Sequence, residues 1–208
     1  MTECPACGKS FESIGTHWRY NNHRPDFTPY QHDVIIGLLM GDGSINRGDK
    51  NPYLQVEMIT EPYMKYLCEI FDKLGRGYSI SKESNGNHKK KFQFTTRNNP
   101  NLKEYSDWYS TGKKVWPSDI HLTPTVLTHW YVGDGHFNES NATPFIEISM
   151  ANEIDNRDKV CDMFRRVDLP EPTFNYSSAR WSVNESKELF EYMNDPLPGF
   201  EYKFPSQK

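Results

Sequence analysis

Two Gly-Asp-Gly triplets place Asp42 and Asp134 each behind an apolar stretch of helical length in a chain of 208 residues. A carboxylate at the C-terminus of a helix faces the negative end of the helix dipole, and two such carboxylates close together repel each other. A hard divalent cation such as Mg²⁺ relieves both effects, and it can polarise a phosphate group and generate hydroxide from bound water. One such triplet alone is more often a simple turn. Two copies at equivalent positions favour a metal-binding pair of carboxylates.

The same motifs recur in the same order along the chain. Asp42 and Asp134 are 92 residues apart, and residues 53–58 align with residues 145–150 at the same offset. Self-similarity at a fixed spacing is the signature of a repeated structural module. The sequence therefore predicts a tandem duplication, with a head over residues 1–27, a first repeat over residues 28–120 and a second repeat over residues 121–208.

Each repeat combines helical and strand patterns, which predicts an α+β fold. Thr28 and Thr123 are each followed by proline, a pairing typical of a helix start. Apolar spacing predicts helices over residues 29–41, 61–74, 124–133, 156–167 and 185–193. Alternating polar and apolar residues predict strands over residues 53–59, 91–97, 144–150 and 179–183. The polar, basic segment 84–91 is typical of a hairpin tip, and residues 24–28 link the head to the first repeat.

Residues 35–43 (IIGLLMGDG) and 127–135 (LTHWYVGDG) resemble the two nine-residue motifs of the LAGLIDADG homing endonucleases. The resemblance covers about residues 28–205. It implies two αββαββα-type halves related by a pseudo-two-fold axis, with saddle-shaped antiparallel sheets and the two motif helices packed side by side. It also implies a site-specific endonuclease that hydrolyses both strands of double-stranded DNA, with Mg²⁺ or a similar ion held by Asp42 and Asp134.

The glycines of the first motif support close packing of its helix independently of the resemblance. Gly37 and Gly41 are four residues apart, on one helical face, where a second helix backbone could approach closely. The second motif departs from the pattern, because His129 replaces the helix glycine and the bulky Trp130 follows it. Perfect symmetry between the two halves is therefore not expected.

Three more residues receive roles from the resemblance. The family holds a lysine near the active site, and Lys114 and Lys203 match that place by repeat position, with Lys113 as an open alternative. A lysine there would stabilise phosphate charge in the transition state. Gln55 matches a polar residue that organises active-site water, and its counterpart in the second repeat is Glu147. An ordinary solvated lysine or an exposed strand residue is the alternative in each case.

The polar faces of the strands are the candidate DNA-contacting surface. Lys91, Gln93, Thr95 and Arg97 share one face and are residue types that reach base edges and phosphates. A merely solvated sheet face is the alternative. The corresponding candidates in the second repeat are Asn175, Ser177, Ser178, Arg180 and Ser182.

The head contains four residues with metal-ligand chemistry. Cys4, Cys7, His17 and His23 have the spacing C-x2-C-x9-H-x5-H, which looks like a C2H2 zinc finger with a central gap shorter than usual. A segment this poor in apolar residues needs a tetrahedral zinc ion to fold. The alternatives are a redox Cys-x-x-Cys, for which the usual βαβ context is absent, and a flexible tail. A zinc-folded head would add DNA contacts beyond the core. Cys68 and Cys161 are expected to be buried free thiols inside helices.

Composition limits the class of protein. The net charge of −4 counts mildly against a nucleic-acid partner, although a basic face can coexist with an acidic back. The mean hydropathy of −0.81 and the lack of a long apolar run argue against a membrane span. No signal peptide is visible at the start, so we expect a cytoplasmic protein, and a monomer because one chain carries both motifs. A non-cutting DNA-binding regulator and an RNA-binding intron maturase on the same fold are the alternative functions.

Overall fold

A computed structural model describes residues 1–4, 6–21, 24–46, 51–82, 89–109, 112–139, 143–150, 153–193 and 195–205. The head forms a small hairpin of β1 (Thr2–Glu3) and β2 (Ser10–Phe11), followed by α1 (Ile14–Asn21). Trp18 of α1 is almost fully buried and belongs to the same hydrophobic core as the rest of the chain. The head is therefore packed onto the first repeat and shares its hydrophobic core.

The first repeat opens with the first motif helix. Thr28 caps this helix as the sequence predicts: its hydroxyl accepts from the Gln31 amide at 3.2 Å, and the Gln31 side chain accepts from the Thr28 amide at 2.9 Å. The elements of this repeat are α2 (Pro29–Met40), β3 (Ser44–Asn46), β4 (Tyr53–Met58), α3 (Glu61–Phe71), β5 (Gly75–Lys82) and β6 (Lys91–Thr96). Short 3-10 turns follow over Asp72–Leu74 and Pro100–Tyr109.

The second repeat has the same order of elements. Thr123 caps its first helix by accepting from the Val126 amide at 3.2 Å. The elements are α4 (Pro124–Asp134), β7 (Gly135–Asn138), β8 (Phe145–Ser149), α5 (Arg157–Arg165), β9 (Thr173–Asn175), β10 (Ser178–Trp181) and α6 (Val183–Tyr192), with 3-10 turns over Ile154–Asn156 and Glu201–Lys203.

Each repeat builds one antiparallel sheet of four strands. The strand orders are β3-β4-β6-β5 and β7-β8-β10-β9, so the two sheets have equivalent topology. Along β4, Leu54, Val56 and Met58 are buried, while the residues between them face away from the core. The α+β fold expected from the sequence is confirmed. The boundary between the repeats at residues 120 and 121 stays a prediction.

The two motif helices lie together at the centre of the molecule. Both are buried on nearly all sides, because each packs against the other helix and against its own repeat. A helix that is apolar all round is a core helix, which is why neither motif shows the one-sided pattern of a surface helix. The expected side-by-side packing of the two motif helices is confirmed.

The structure corrects several details of the expected elements. Strands β3, β5, β7 and β9 are present and have no counterpart among the strands expected from alternation. The helix expected over residues 61–74 ends as an α-helix at Phe71 and continues as a 3-10 turn. Cys68 and Cys161 are free thiols, but they are half-buried instead of buried. In the basic hairpin tip, residues 83–88 lie outside the described residues. Among the described helices, none has the length and apolarity needed to cross a membrane.

Candidate active site

Close contact between α2 and α4 depends on the glycines of the motifs. A Cβ atom at Gly37 would lie 2.6 Å from both the Val126 carbonyl oxygen and the Cβ of His129, so no larger residue fits. Nearer the helix ends, a Cβ at Gly41 would lie 3.6 Å from the Cα of Gly133. The backbones therefore nearly touch just before the two aspartates.

The adjoining helix ends bring Asp42 and Asp134 together. A Cβ at Gly133 would lie 3.8 Å from the Asp42 carboxylate, and one at Gly41 would lie 3.9 Å from the Asp134 carboxyl carbon. Asp42 is exposed, whereas Asp134 is half-buried. Within the described part of the chain, neither carboxylate accepts a hydrogen bond or forms an ion pair, which leaves their oxygens available to a cation.

The protonation of Asp134 reflects this crowding. Burial and, second, the charge of Asp42 raise the pKa of Asp134 from 3.8 to about 6, against the lowering effect of Lys114 and Lys203. A carboxylate that is desolvated next to a like charge is unfavourable in the folded protein. A divalent cation between Asp42 and Asp134 would remove that penalty.

Lys114 and Lys203 occupy equivalent places beside the aspartates. The Lys114 ammonium donates to the Gly43 carbonyl at 3.2 Å and also to the Gly41 carbonyl. The Lys203 ammonium donates to the carbonyls of Val132 and Gly135 at 2.8 and 2.7 Å. Each lysine thus holds the carbonyl end of one motif helix and the turn that follows it.

These contacts give each lysine a structural as well as an electrostatic effect. A cation at a helix C-terminus is stabilised by the helix dipole. Burial lowers the pKa of both Lys114 and Lys203, while the charges of Asp42 and Asp134 raise it. The neighbouring Lys113 is exposed, so Lys114 is the lysine that the structure brings to the aspartates.

Two cavities flank the aspartate pair at the seam between the repeats. The first, of about 370 Å³, is lined by both aspartates, Lys114 and Glu153. The second, of about 320 Å³, is lined by Asp42, Lys203 and Lys91. Each cavity therefore combines a carboxylate with one of the two site lysines.

Glu153 was not expected from the sequence. It is fully buried in the first cavity's wall, where it accepts from the Trp116 amide at 2.7 Å and from the Lys159 ammonium at 3.1 Å. Lys159 also donates to the Trp116 carbonyl at 2.7 Å. The pair fixes the backbone two residues after Lys114. The repeat offset of 92 aligns Glu153 with Glu61, but Glu61 accepts from the Tyr78 hydroxyl and lines neither cavity, so the repeat gives no signal for Glu153.

Gln55 and Glu147 lie on equivalent strands but do not line either cavity as the structure describes it. Gln55 is half-buried on β4, opposite Thr95. Glu147 is opposite Arg180 and accepts a hydrogen bond from the Ser178 hydroxyl. Both residues therefore lie on the outward sheet faces, outside the walls of the two cavities.

The candidate DNA-contacting residues of the first repeat lie on β6 and just beyond its end. Gln93 and Thr95 remain on the outward face of β6, and Lys91 there forms an ion pair with Glu57 at 2.9 Å. Arg97 lies just beyond the strand, where its Nε donates to the Lys73 carbonyl at 3.0 Å.

In the second repeat, Arg180 stacks over the Phe145 ring at 3.5 Å from its centroid. Ser178 lies on the same strand, β10. Ser182 is the residue before α6, and its amide donates to Glu185 at 2.6 Å. The other two candidates lie near the turn between β9 and β10: Asn175 and Ser177.

Three of the four expected metal ligands in the head come together. One donor atom each from Cys4, Cys7 and His17 lies within 4.8 Å of the others. The Cys7 sulfur is 3.5 Å from Nε2 of His17. Zinc bonds of about 2.3 Å to sulfur and about 2.0 Å to nitrogen, at a tetrahedral angle, separate those atoms by about 3.5 Å. His23, the fourth expected ligand, lies outside the described residues.

The surroundings of these ligands also suit a metal. Burial would raise the pKa of Cys4, but hydrogen bonds from the Trp18 indole and from backbone amides hold it below its usual value of 9.0. A lowered pKa favours the thiolate, which is the form that binds metal. The His17 ring stacks on Phe11 at a centroid distance of 3.7 Å, which fixes its orientation.

The duplicated α+β fold and the paired helix-end carboxylates define a two-repeat protein with a candidate metal-dependent site. The chain belongs to the LAGLIDADG DNA endonuclease family, whose pattern matches residues 32–167. It is 28% identical over 137 residues to the DNA endonuclease I-ChuI of Chlamydomonas applanata, a match that covers 55% of this chain and 63% of that relative.

Two solved structures share this fold. The homing endonuclease I-WcaI bound to its DNA recognition sequence superposes with a TM-score of 0.79 at 18% identity, over 97% of each chain. I-DmoI in complex with DNA and Mn superposes with a TM-score of 0.50 at 10% identity, over 79% of this chain and 96% of that one. At these identities, the likeness concerns the fold.

Proposed function

We propose that this protein is a site-specific homing endonuclease that hydrolyses both strands of double-stranded DNA. The observation that carries the proposal is the pair Asp42 and Asp134, two carboxylates without described partners at adjoining helix ends, each beside a half-buried lysine. A purely structural pair of turns would not place two repelling carboxylates together. Membership of the LAGLIDADG family gives this geometry its chemical context.

Asp42 and Asp134 are the proposed ligands of Mg²⁺ or a similar divalent ion. When bound, such an ion polarises a scissile phosphate and lowers the pKa of bound water. Lys114 and Lys203 supply fixed positive charge on either side, which stabilises the extra charge of the phosphate in the transition state. The pseudo-two-fold arrangement offers one aspartate and one lysine to each strand of the duplex.

The remaining roles rest on position in the fold. Gln55 is proposed to orient water at the edge of the site. The outward sheet faces would contact the duplex through Lys91, Gln93, Thr95 and Arg180. Arg97 extends this contact surface at one end. Both repeats lie in one chain, so a monomer suffices for an asymmetric site. In the head, zinc held by the four ligands would stabilise the fold: Cys4, Cys7, His17 and His23.

The decisive experiment separates cutting from binding on one duplex that carries the intron-insertion site of this protein's own gene. Cutting is measured in Mg²⁺ and binding in Ca²⁺. Asp42→Asn and Asp134→Asn remove the charge that attracts the cation, so each should slow cleavage by orders of magnitude. Duplex affinity should fall little or rise, because a negative charge facing phosphates is lost. Cutting at the wild-type rate by Asp42→Asn would end the catalytic assignment.

The two adjacent lysines provide a matched control. Lys114→Met should slow cutting, though less than the aspartate substitutions, because the lysine stabilises charge and does not create the nucleophile. Lys113→Met removes the same charge one residue away, from an exposed position, and should leave the rate nearly unchanged. Tight duplex binding with no cutting by the wild-type protein would instead favour a DNA-binding regulator.

A further inference from the structure

An open cleft of about 950 Å³ separates the head from the far end of the first sheet. Three arginines line it: Arg24 from the head-to-repeat link, Arg76 from β5 and Arg97 from the end of β6. The described residues along its walls include no aspartate or glutamate. In a chain whose net charge is −4, this is a marked local excess of positive charge.

Arg76 and Arg97 are oriented by neutral groups. Arg97 donates from Nε to the Lys73 carbonyl at 3.0 Å. Arg76 donates to the Asn98 side chain and lies 5.3 Å from the centroid of the Tyr53 ring. Within the described part of the chain, neither Arg76 nor Arg97 forms an ion pair with a carboxylate. Their positions are fixed while their charge is not neutralised.

The opposite wall of the cleft comes from the first turn of α1. A Cβ atom added at Gly15 would lie 3.1 Å from a terminal nitrogen of Arg97, so this helix end directly faces the guanidinium. The hydroxyls of Ser13 and Thr16 also line the cleft. Fixed guanidinium groups, hydroxyls and the positive end of a helix together favour a phosphate oxygen.

The cleft is continuous with the proposed DNA-contacting face. Tyr53 begins β4, Arg97 follows β6 directly, and Arg76 lies near the start of β5, so all three mark the same end of the sheet. A duplex that lies along the outward face would leave the sheet at this end.

We propose that the cleft between the head and the first repeat binds the phosphodiester backbone of the DNA flank beyond the sheet, through Arg76 and Arg97. This inference rests on the proposed function, because it assumes that DNA lies on the sheet. It gives the head a specific task, which is to close one wall of a backbone-binding groove.

The test measures how duplex affinity depends on salt, with the full chain, zinc, Ca²⁺ and a labelled mixed-sequence duplex. Each phosphate contact contributes a slope of about 0.9 in log affinity against log salt. The double variant Arg76→Gln/Arg97→Gln should therefore lower the slope by about 2 and weaken binding on the order of tenfold at low salt. Arg165→Gln is the matched control, because Arg165 already binds the Glu171 carboxylate at 2.9 Å, and its slope should stay at the wild-type value.

A second pair of variants leaves every arginine in place. Gly15→Glu introduces a carboxylate beside Arg97, at a helix start where an acidic residue is favourable. Gly15→Gln introduces nearly the same volume without charge. The Glu variant should lower affinity and slope well below those of the Gln variant, although it unfolds at the same or a higher temperature.

The outcomes separate the two proposals. If the wild-type protein and Arg165→Gln bind the duplex while the cleft variants keep the full slope, the cleft proposal is overturned and the proposed function stands. Equal affinities for Gly15→Glu and Gly15→Gln would overturn it in the same way. If the wild-type protein binds no duplex at all, both proposals fail together.

Discussion

Asp134→Asn should make the metal-free protein more stable while it abolishes the proposed chemistry. The carboxylate is half-buried next to Asp42, and its pKa rises from 3.8 to about 6 on folding. Each pKa unit corresponds to about 1.4 kcal/mol, which sets an upper limit of about 3 kcal/mol for the penalty at neutral pH. Water reaches part of this side chain and screens the charge, so we expect a gain of roughly 1–2 kcal/mol.

The pH dependence of this gain has a defined sign. Above pH 6, Asp134 is ionised in both the folded and the unfolded protein, so the full penalty is present. Between pH 6 and about 4, the folded protein takes up a proton that the unfolded protein does not, and the penalty disappears. The advantage of Asp134→Asn over the wild-type protein should therefore be largest near pH 8 and shrink as the pH falls towards 4.

The assay is urea denaturation at pH 8 and pH 5, in chelator and in Mg²⁺. Comparing the variant with the wild type removes the effect of other titrating groups. One of them is the buried His129, because burial lowers its pKa to about 3. His129 therefore destabilises both proteins equally as the pH falls below 6.5. Mg²⁺ should stabilise the wild-type protein more than Asp134→Asn, because it binds the folded state of the wild type better.

Asp42→Asn is the control for this reasoning. Asp42 is exposed, and burial contributes more than Asp42 does to the raised pKa of Asp134. Asp42→Asn should therefore stabilise the protein less than Asp134→Asn. If Asp134→Asn in chelator at pH 8 is no more stable than the wild type, the ionised Asp134 carboxylate does not destabilise the folded protein. The physical argument for a cation there would then be wrong.

Two further substitutions test the packing and the head. Gly37→Ala should lower the free energy of unfolding by about 1–3 kcal/mol, because the added Cβ would lie 2.6 Å from the Val126 carbonyl oxygen. An unchanged urea midpoint would contradict the close packing of the two helices. Cys4→Ser should lower the zinc content measured by atomic absorption, whereas Cys68→Ser, at a thiol outside the head, should leave it unchanged. Zinc content at the wild-type level in Cys4→Ser would exclude Cys4 as a ligand.

The motif helices could be predicted from the sequence because several independent signals coincide there. Thr28 and Thr123 mark the helix starts, the apolar stretches give the length, and the repeated Gly-Asp-Gly marks the ends. The fixed offset then pairs Asp42 with Asp134 without any structural information. Local propensity, pattern and duplication all agree at these positions, which is the condition for a reliable prediction.

The strands that the sequence did not predict lack those signals. β5 contains Gly75 and Gly77, and glycine weakens strand propensity and often marks a bulge. A register shift occurs there between the two glycines. β3 and β9 contain three residues each, too few for an alternating pattern to be recognised. Their pairing is set by the longer neighbouring strands, and this is tertiary information.

The choice between Lys113 and Lys114 also needed three-dimensional information. The two neighbouring residues are both lysines in a loop, so the sequence does not distinguish them. Only the path of the backbone decides which of the two side chains turns towards the aspartates. The buried Glu153 and the half-buried Lys159 hold both backbone groups of Trp116, and this fixes the chain direction two residues after Lys114. The residue that decides the orientation is therefore in the other repeat.

The departure of the second motif from the first follows from how two helices share one contact. Gly37 has no side chain, and the space that its Cβ would fill is taken by the Cβ of His129. One glycine at this crossing is enough for close approach, so the partner position can carry a side chain. His129 uses that freedom to share a hydrogen bond between its Nδ1 and the Tyr63 hydroxyl of the first repeat, inside the core. Exact symmetry would remove this link, and the asymmetric pair instead fixes the two halves in a single register, which the paired aspartates require.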